Sequence, residues 1–223
     1  MSVQAKYTKI KQDIAQAAAR SGRDPNGIKV IAVTKYVTTE RAREALAAGI
    51  TDLGENRDDG FKEKHREISG EAVWHFIGTL QSRKVKNIIM DVDFIHSLDR
   101  FSLAKEIEKR ADRTVNCFIQ VNASGEESKH GLPPENVISF VDKLEAYPKI
   151  KVVGLMTMAP HTDDEEVIRQ TFRKVKRLQE EIKEKRYAHA PCGELSMGMS
   201  NDYTIAVEEG STYVRIGSAL VGE

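Results

Sequence analysis

The chain has 223 residues, 40% of them hydrophobic and 30% charged, which is length enough for one large globular domain or two small ones. Lysine and arginine total 34 and so do aspartate and glutamate, leaving no net charge to draw the chain to nucleic acid or to an anionic membrane. The opening stretch MSVQAKYTKIKQDIAQAAARSGRD lacks the apolar run of a leader peptide and no later run could span a bilayer, so a cytoplasmic protein is expected, with no nucleic acid and no membrane among its partners.

Between Ser2 and Arg20, Ile10, Ile14, Ala17 and Ala18 recur at helical spacing, and SGRDPNG then reads as a stop and a turn, which predicts a first amphipathic helix. Short apolar runs then alternate with helical patterns. IKVIAVT precedes a helix over Thr39–Ala48, DLGEN one over Arg57–Ile68, and AVWHFIG one over Gln81–Ile89. DFIHSL precedes Asp99–Ala111, TVNCFIQV precedes Pro134–Leu144, and VVGLMTM precedes Asp163–Lys185. ELSMGMS before Asp202–Glu208, and TYVRIGSAL at the end, complete the strands. Such alternation requires crossovers and hence a parallel sheet, and eight units in this length match a (β/α)8 TIM barrel, with a doubly wound open sheet as the rival. No linker, low-complexity tract or repeat marks a boundary, so residues 1–223 are expected to form a single barrel domain with an extra N-terminal helix.

Ile31, Ala32 and Val33 read as a strand buried on both faces, where an unpaired ammonium is costly, so Lys35 falls where the strand runs out. A lysine there is either an ordinary solvated end residue or, if partly desolvated, a Schiff-base nucleophile. Barrels work at the C-terminal ends of their strands and favour phosphate after strands seven and eight. The seventh loop is SMGMSND, where Gly198 permits close backbone approach and Ser200 and Asn201 offer a hydroxyl and an amide. The eighth strand carries Arg215, Gly217 and Ser218, with positions 215 and 217 on one face. Singly, Ser200 reads most simply as a helix N-cap and Gly217 as a turn residue. Together, at both phosphate positions and beside an arginine, they favour a phosphorylated ligand.

Other polar groups stand at further strand ends: Asn56 in GEN, Thr79, the stretch NASGEESKHG and the stretch MAPHTDD. The six histidines show no metal-ligand spacing, and His75, between Trp74 and Phe76, is expected to be a hydrogen-bonded core residue, so no metal is expected. Cys117 and Cys192 lie far apart and outside any CxxC pattern, as core residues do. The charged run FRKVKRLQEEIKEKRY reads as a solvated helix face, and the absence of a GxSxG elbow, a Walker loop and a strand-linked GxGxxG removes support for hydrolases and nucleotide motors.

AVTKYVT, DLGENR, WHFIGTLQSRK, SGEESKHG, GLMTMAP, LSMGMSNDY and GSTYVRIGSALVG occur in the order and spacing of the pyridoxal phosphate homeostasis protein family, and the resemblance runs from Val30 to Gly222. It implies a fold-type III barrel similar to the barrel domain of alanine racemase, with pyridoxal 5′-phosphate held by Lys35 as an internal aldimine. By the same resemblance Ser200, Gly217 and Ser218 form the phosphate cradle, Arg215 faces the pyridine nitrogen and Asn56 lies near the ring. The sequence departs from the family pattern at Thr79, where a histidine is more usual, so no histidine role carries over to that loop.

Pyridoxal phosphate catalyses as an electron sink, strongest when an acidic partner keeps its ring nitrogen protonated. Arginine offers only donors and stays charged, so a nitrogen facing Arg215 is an unprotonated acceptor and the sink is weak. Racemisation tolerates that partner but needs an acid on the substrate's opposite face, which in barrel racemases is a tyrosine of an added β domain. The chain ends at Glu223, just past the eighth strand, so that domain is expected to be absent and the protein monomeric. Tyr36 and Tyr203 are candidate substitutes, each more simply a half-buried aromatic. Three readings stay open: a pyridoxal phosphate carrier or buffer serving apo-enzymes with little or no catalysis, which the resemblance favours; a racemase-like enzyme; and a phosphometabolite barrel without a Schiff base. Lys129, in the loop after strand five, is a candidate second amine for cofactor release, its plainer reading a solvated loop lysine.

Overall fold

Residues three and four apart build the first helix: α1 (Val3–Arg20) buries Val3, Ile10, Ile14, Ala17 and Ala18, and Ser2 caps it by accepting from the Ala5 N–H at 3.2 Å. The computed structural model describes residues 1–68, 70–126 and 129–222. Beyond α1 and a short 3-10 turn at Pro25–Gly27, strands and helices alternate. The strands are β1 (Lys29–Val33), β2 (Asp52–Glu55), β3 (Val73–Phe76), β4 (Phe94–Leu98), β5 (Val115–Gln120), β6 (Ile150–Met156), β7 (Glu194–Ser196) and β8 (Tyr213–Ile216). Each pairs in parallel with the next, and β8 returns to β1 with Arg215 opposite Ile31, closing the barrel expected from the alternation. The helices are α2 (Thr39–Ala47), α3 (Asp58–Ile68), α4 (Phe101–Arg110), α5 (Pro134–Leu144), α6 (Glu165–Glu184), α7 (Tyr203–Glu208) and α8 (Ser218–Val221). The extra helix α1 packs on α7 and α8, and Arg23 just beyond it donates to the carbonyls of Val207 and Ser211. No helix among the described residues is long and apolar enough to cross a membrane.

The barrel encloses its own core. Ile31, Phe118, Met156 and Tyr213 cluster inside it, apart from the larger apolar layer between strands and helices. His75 stacks on Phe94 with centroids 4.6 Å apart, and His96 on Phe118 at 4.3 Å. His75 is thus the hydrogen-bonded core residue that its setting suggested, and Cys117 and Cys192 are buried.

Besides shifts of a few residues at other element ends, three stretches differ in kind or length from the sequence reading. Gln81–Ile89 is not an α-helix but a 3-10 helix over Ser82–Asn87, with no side-chain cap at Gln81 and with Lys84 and Asn87 tied to Asp58 at the start of α3. The ELSMGMS run is strand only to Ser196, because Gly198 turns the chain with φ +93°. The TYVRIGSAL run is strand only to Ile216, and its last residues form the turn of α8.

Gly154 on β6 faces Glu194 on β7 so closely that a Cβ would lie 2.0 Å from the Glu194 carbonyl oxygen. Gly154→Ala should therefore destabilise the fold by about 1–3 kcal/mol or more, as over-packing does, read as a fall in the denaturant midpoint.

Candidate functional site

The C-terminal strand ends surround a cavity of about 1370 Å³, larger than the ~300–1,000 Å³ usual for one small ligand. Lys35, Asn56, Ser200, Arg215, Gly217 and Ser218 all line it. They arrive on four neighbouring strands: Ser200 follows β7, Arg215 lies on β8 with Gly217 and Ser218 beyond, Lys35 follows β1 and Asn56 follows β2.

Lys35 is exposed, with its ammonium 4.9 Å from the centroid of the Tyr36 ring, so of the two readings of a strand-end lysine it has the exposure of the solvated one. The buried ammonium at this strand end is Lys64 instead. Its Nζ donates to the Thr34 carbonyl at 3.0 Å and to Glu55 Oε1 at 2.9 Å, and the Thr34 hydroxyl donates to the same carboxylate at 2.6 Å. Burial is tolerated there because the charge is paired and hydrogen-bonded. The pair anchors the backbone immediately before Lys35, which stands free in the mouth.

Ser200 is not the helix cap that it resembles in sequence. Asp202 holds the N-cap position of α7, and its carboxylate accepts from the Met199 N–H. The Ser200 hydroxyl instead faces that of Ser218 at 3.5 Å. Ser218 opens α8, whose first N–H groups have no acceptor within the helix. A Cβ at Gly217 would meet nothing nearer than Val33 at 3.5 Å, so the glycine leaves open space beside these donors that the protein's own packing does not require. This is a local setting for an oxyanion. Across β1, Asn56 has its Oδ1 buried without a partner among the described residues, an acceptor that calls for a donor from a ligand. Gly78 packs against the Asn56 backbone, where a Cβ would lie 2.5 Å from its carbonyl oxygen.

Arg215 is 5% exposed. Its Nη1 donates to Ser196 Oγ at 2.7 Å and its Nη2 to the Thr157 carbonyl at 2.9 Å, and burial lowers its pKa to about 10, with Asp202 partly opposing the shift. Ser196 Oγ lies 2.9 Å from His96 Nδ1, His96 Nε2 lies 2.9 Å from His75 Nδ1, and His75 Nε2 lies 3.0 Å from Asp52 Oδ1. Burial also raises the pKa of Asp202 on the cavity wall. Sequence reasoning missed Thr157, Ser196, His96 and Asp202. They lie within apolar runs or beside louder motifs, and only strand register shows where they point.

The two tyrosine candidates are placed differently. Tyr203 donates its hydroxyl to Asp13 of α1 at 2.8 Å, on the outer side of the barrel. Tyr36 lines the mouth but is 80% exposed. Lys129 is neither a wall residue nor a freely solvated lysine: its amine donates to the Ala159 carbonyl at 2.8 Å and pairs with Glu126. Glu127 and Ser128, in the same predicted motif, lie outside the described residues. Among the described residues no group of three or more His, Cys, Asp or Glu is arranged to hold a metal ion.

A parallel eight-stranded barrel with a lysine after its first strand and an anion setting after its last two defines a recognisable class. The chain belongs to the family of the alanine racemase N-terminal domain, whose model matches residues 6–223, and within it to the pyridoxal phosphate homeostasis proteins. The protein of that name from Aquifex aeolicus is 40% identical over 222 residues, covering 98% of this chain and 96% of its own. The human one is 35% identical over 230 residues, covering 96% and 84%. PipY of Synechococcus elongatus, solved with PLP bound, superposes with a TM-score of 0.81 at 30% identity, covering 94% of this chain and all of that one (100%). Alanine racemase from Corynebacterium glutamicum superposes with a TM-score of 0.71 at 15% identity over 98% of this chain and 59% of its own, a likeness of fold alone.

The buried histidines set an acid limit on the fold. Burial holds the pKa of both His75 and His96 below the ordinary 6.5, that of His96 well below, while the unfolded chain titrates at the ordinary value. As pH falls below about 6.5 the unfolded state takes up protons that the native state refuses, so stability is lost toward acid. Melting temperature should fall steadily from pH 7 to pH 5, and His96→Phe should flatten that slope.

Proposed function

We propose that this chain holds pyridoxal 5′-phosphate at the barrel mouth and serves its homeostasis as a carrier or buffer, with little catalysis of its own. One observation carries the reading: a free lysine amine, a cluster of anion donors and a buried guanidinium share one cavity at four adjacent strand ends. The relatives' names and the ligand of PipY support it. When bound, pyridoxal phosphate supplies an aldehyde that a primary amine captures reversibly and a ring that withdraws electrons once its nitrogen is protonated.

Lys35 presents the amine, held at its backbone by the Lys64–Glu55 pair beneath it. Ser200, Gly217 and Ser218 would receive the phosphate through hydroxyl and N–H donors, and Asn56, with its Oδ1 unpartnered, would lie near the ring. Arg215 would offer a donor to the ring nitrogen and so would keep that nitrogen unprotonated, which would favour holding the ligand over activating it. A racemase-like activity would need an acid on the far side of the mouth, yet Tyr203 is committed to Asp13 and Tyr36 stands in solvent. On this reading the chain works in the cytoplasm as a monomer, and its protein partners are pyridoxal phosphate-dependent apo-enzymes.

Lys35→Ala should abolish the visible absorbance that pyridoxal phosphate gives the parent, and borohydride treatment of the parent should fix the ligand on the peptide that contains Lys35. A full-stoichiometry adduct on another lysine would count against the assignment. Ser200→Ala should weaken pyridoxal phosphate binding by about 1–3 kcal/mol, roughly five- to 150-fold, with little change in melting temperature. It should leave the weaker binding of unphosphorylated pyridoxal nearly unchanged, and equal losses for the two ligands would place the phosphate elsewhere.

A further inference from the structure

Beneath the mouth, Ser196, His96 and His75 are almost wholly shielded from solvent, and their contacts link Arg215 at one end to Asp52 at the other. The ends of the series differ in kind: a guanidinium can only donate and an ionised carboxylate can only accept. Asp52 stays ionised, its pKa lowered by the bond to His75 and by Lys29 against the opposing effect of burial. Every hydrogen between them is thereby assigned. Arg215 Nη1 donates to Ser196 Oγ, and the Ser196 hydroxyl donates to His96 Nδ1. His96 Nε2–H donates to His75 Nδ1, and His75 Nε2–H donates to Asp52. Both imidazoles are neutral and both carry the proton on Nε2. The opposite tautomers would set a ring lone pair of His75 against the Asp52 carboxylate, an unfavourable contact between two buried acceptors.

We propose that Ser196, His96, His75 and Asp52 are positioning residues for Arg215: a hydrogen-bond chain of one direction that holds its guanidinium as a donor toward the ring nitrogen of the ligand. The proposal rests on the cofactor reading of the mouth. Mechanically, Ser196 and the Thr157 carbonyl fix two corners of a planar group, which leaves its remaining N–H groups a single orientation. The stacking of His75 on Phe94 and of His96 on Phe118 keeps each ring from turning out of line. At the Asp52 end, Thr51 donates to the carboxylate at 2.8 Å. Lys29 on β1 and Tyr213 on β8, bonded to each other at 3.1 Å, stand close by, and Asp93 before β4 adds a second negative charge near His75. At the other end Arg215 is the charged group that faces His96.

Two measurements test this. In the unloaded protein, ¹⁵N spectra of the histidine rings at neutral pH should show His75 and His96 as neutral Nε2–H tautomers, and an Nδ1–H tautomer or an imidazolium at either overturns the chain. Binding is then compared for pyridoxal phosphate and for its analogue with C–H in place of the ring nitrogen. The parent should prefer pyridoxal phosphate. His96→Phe, which keeps the stacked shape against Phe118, should cut that preference about fivefold, the worth of one hydrogen bond, and Ser196→Ala should do the same if the first variant fails to fold. Equal weakening toward both ligands by a folded variant would reduce the chain to a structural role and overturn the proposal. A parent that binds neither ligand would overturn the cofactor reading, and with it the role given to Arg215, while leaving the tautomer result intact.

Discussion

The candidate site depends on the closure of the barrel between its last strand and its first. Ile31 lies opposite Arg215 and Ala32 opposite Ile216, and this register brings the loop carrying Lys35 beside the turn carrying Gly217 and Ser218. A parallel ladder this short, four registered pairs, is a modest fastening by itself. It is reinforced from outside. α1 lies across α7 and α8, Arg23 holds two carbonyls around the α7–β8 turn, and Arg41 and Lys6 donate to the carbonyls of Val221 and Gly222. The N-terminal helix thus braces the seam at which the amine and the anion donors meet.

The interior of the barrel carries a desolvation cost that an all-apolar filling would not. Placing a guanidinium, two imidazoles and a hydroxyl among aromatic rings strips water from groups that apolar residues of similar volume would replace at no such cost. The lowered pKa of Arg215 and the suppressed protonation of both histidines are signs of that desolvation. A fold that needed only stability could fill this space with leucine and valine, as many barrels do. The polar interior instead gives Arg215 a fixed orientation, and fixed donors at a binding site lower the cost of ordering when a ligand arrives.

Much of this was legible in the sequence because it is written in local patterns. Alternating apolar runs and helical stripes give the eight units, and α5 falls on the expected residues Pro134–Leu144 because Pro134 starts it and Leu144 closes its apolar stripe. The six wall residues were legible because short motifs mark the ends of strands. What stayed hidden depends on pairing between strands. Ser196 and Arg215 are 19 positions apart, and His96 is 100 positions from Ser196, so no window along the chain relates them. The burial of Lys64 was equally hidden. In sequence it is one of several charged residues on a helix, and only the end of β1 shows the carbonyl and carboxylate that it satisfies. The 3-10 helix at Ser82–Asn87 was misread because a helical pattern of six residues does not distinguish the two hydrogen-bond registers.

The contrast between Lys64 and Lys35 bears on what the mouth can do. A single strand end carries two lysines nearby: one is locked by a carboxylate and a carbonyl, the other is exposed beside an aromatic ring. Had Lys35 an acidic partner of its own, an arriving aldehyde would have to break an ion pair before reaching nitrogen. Lys64 and Thr34 occupy the Glu55 carboxylate at that strand end, so this carboxylate is already engaged away from Lys35. The mouth is also wide, and among the described residues its rim exposes Tyr36 and Met199. A dedicated enzyme gains from sealing its ligand away from water, whereas a carrier must let the same ligand out. On the proposed reading, an exposed amine, hydroxyl and N–H donors for the phosphate and a buried guanidinium below them would suit reversible holding.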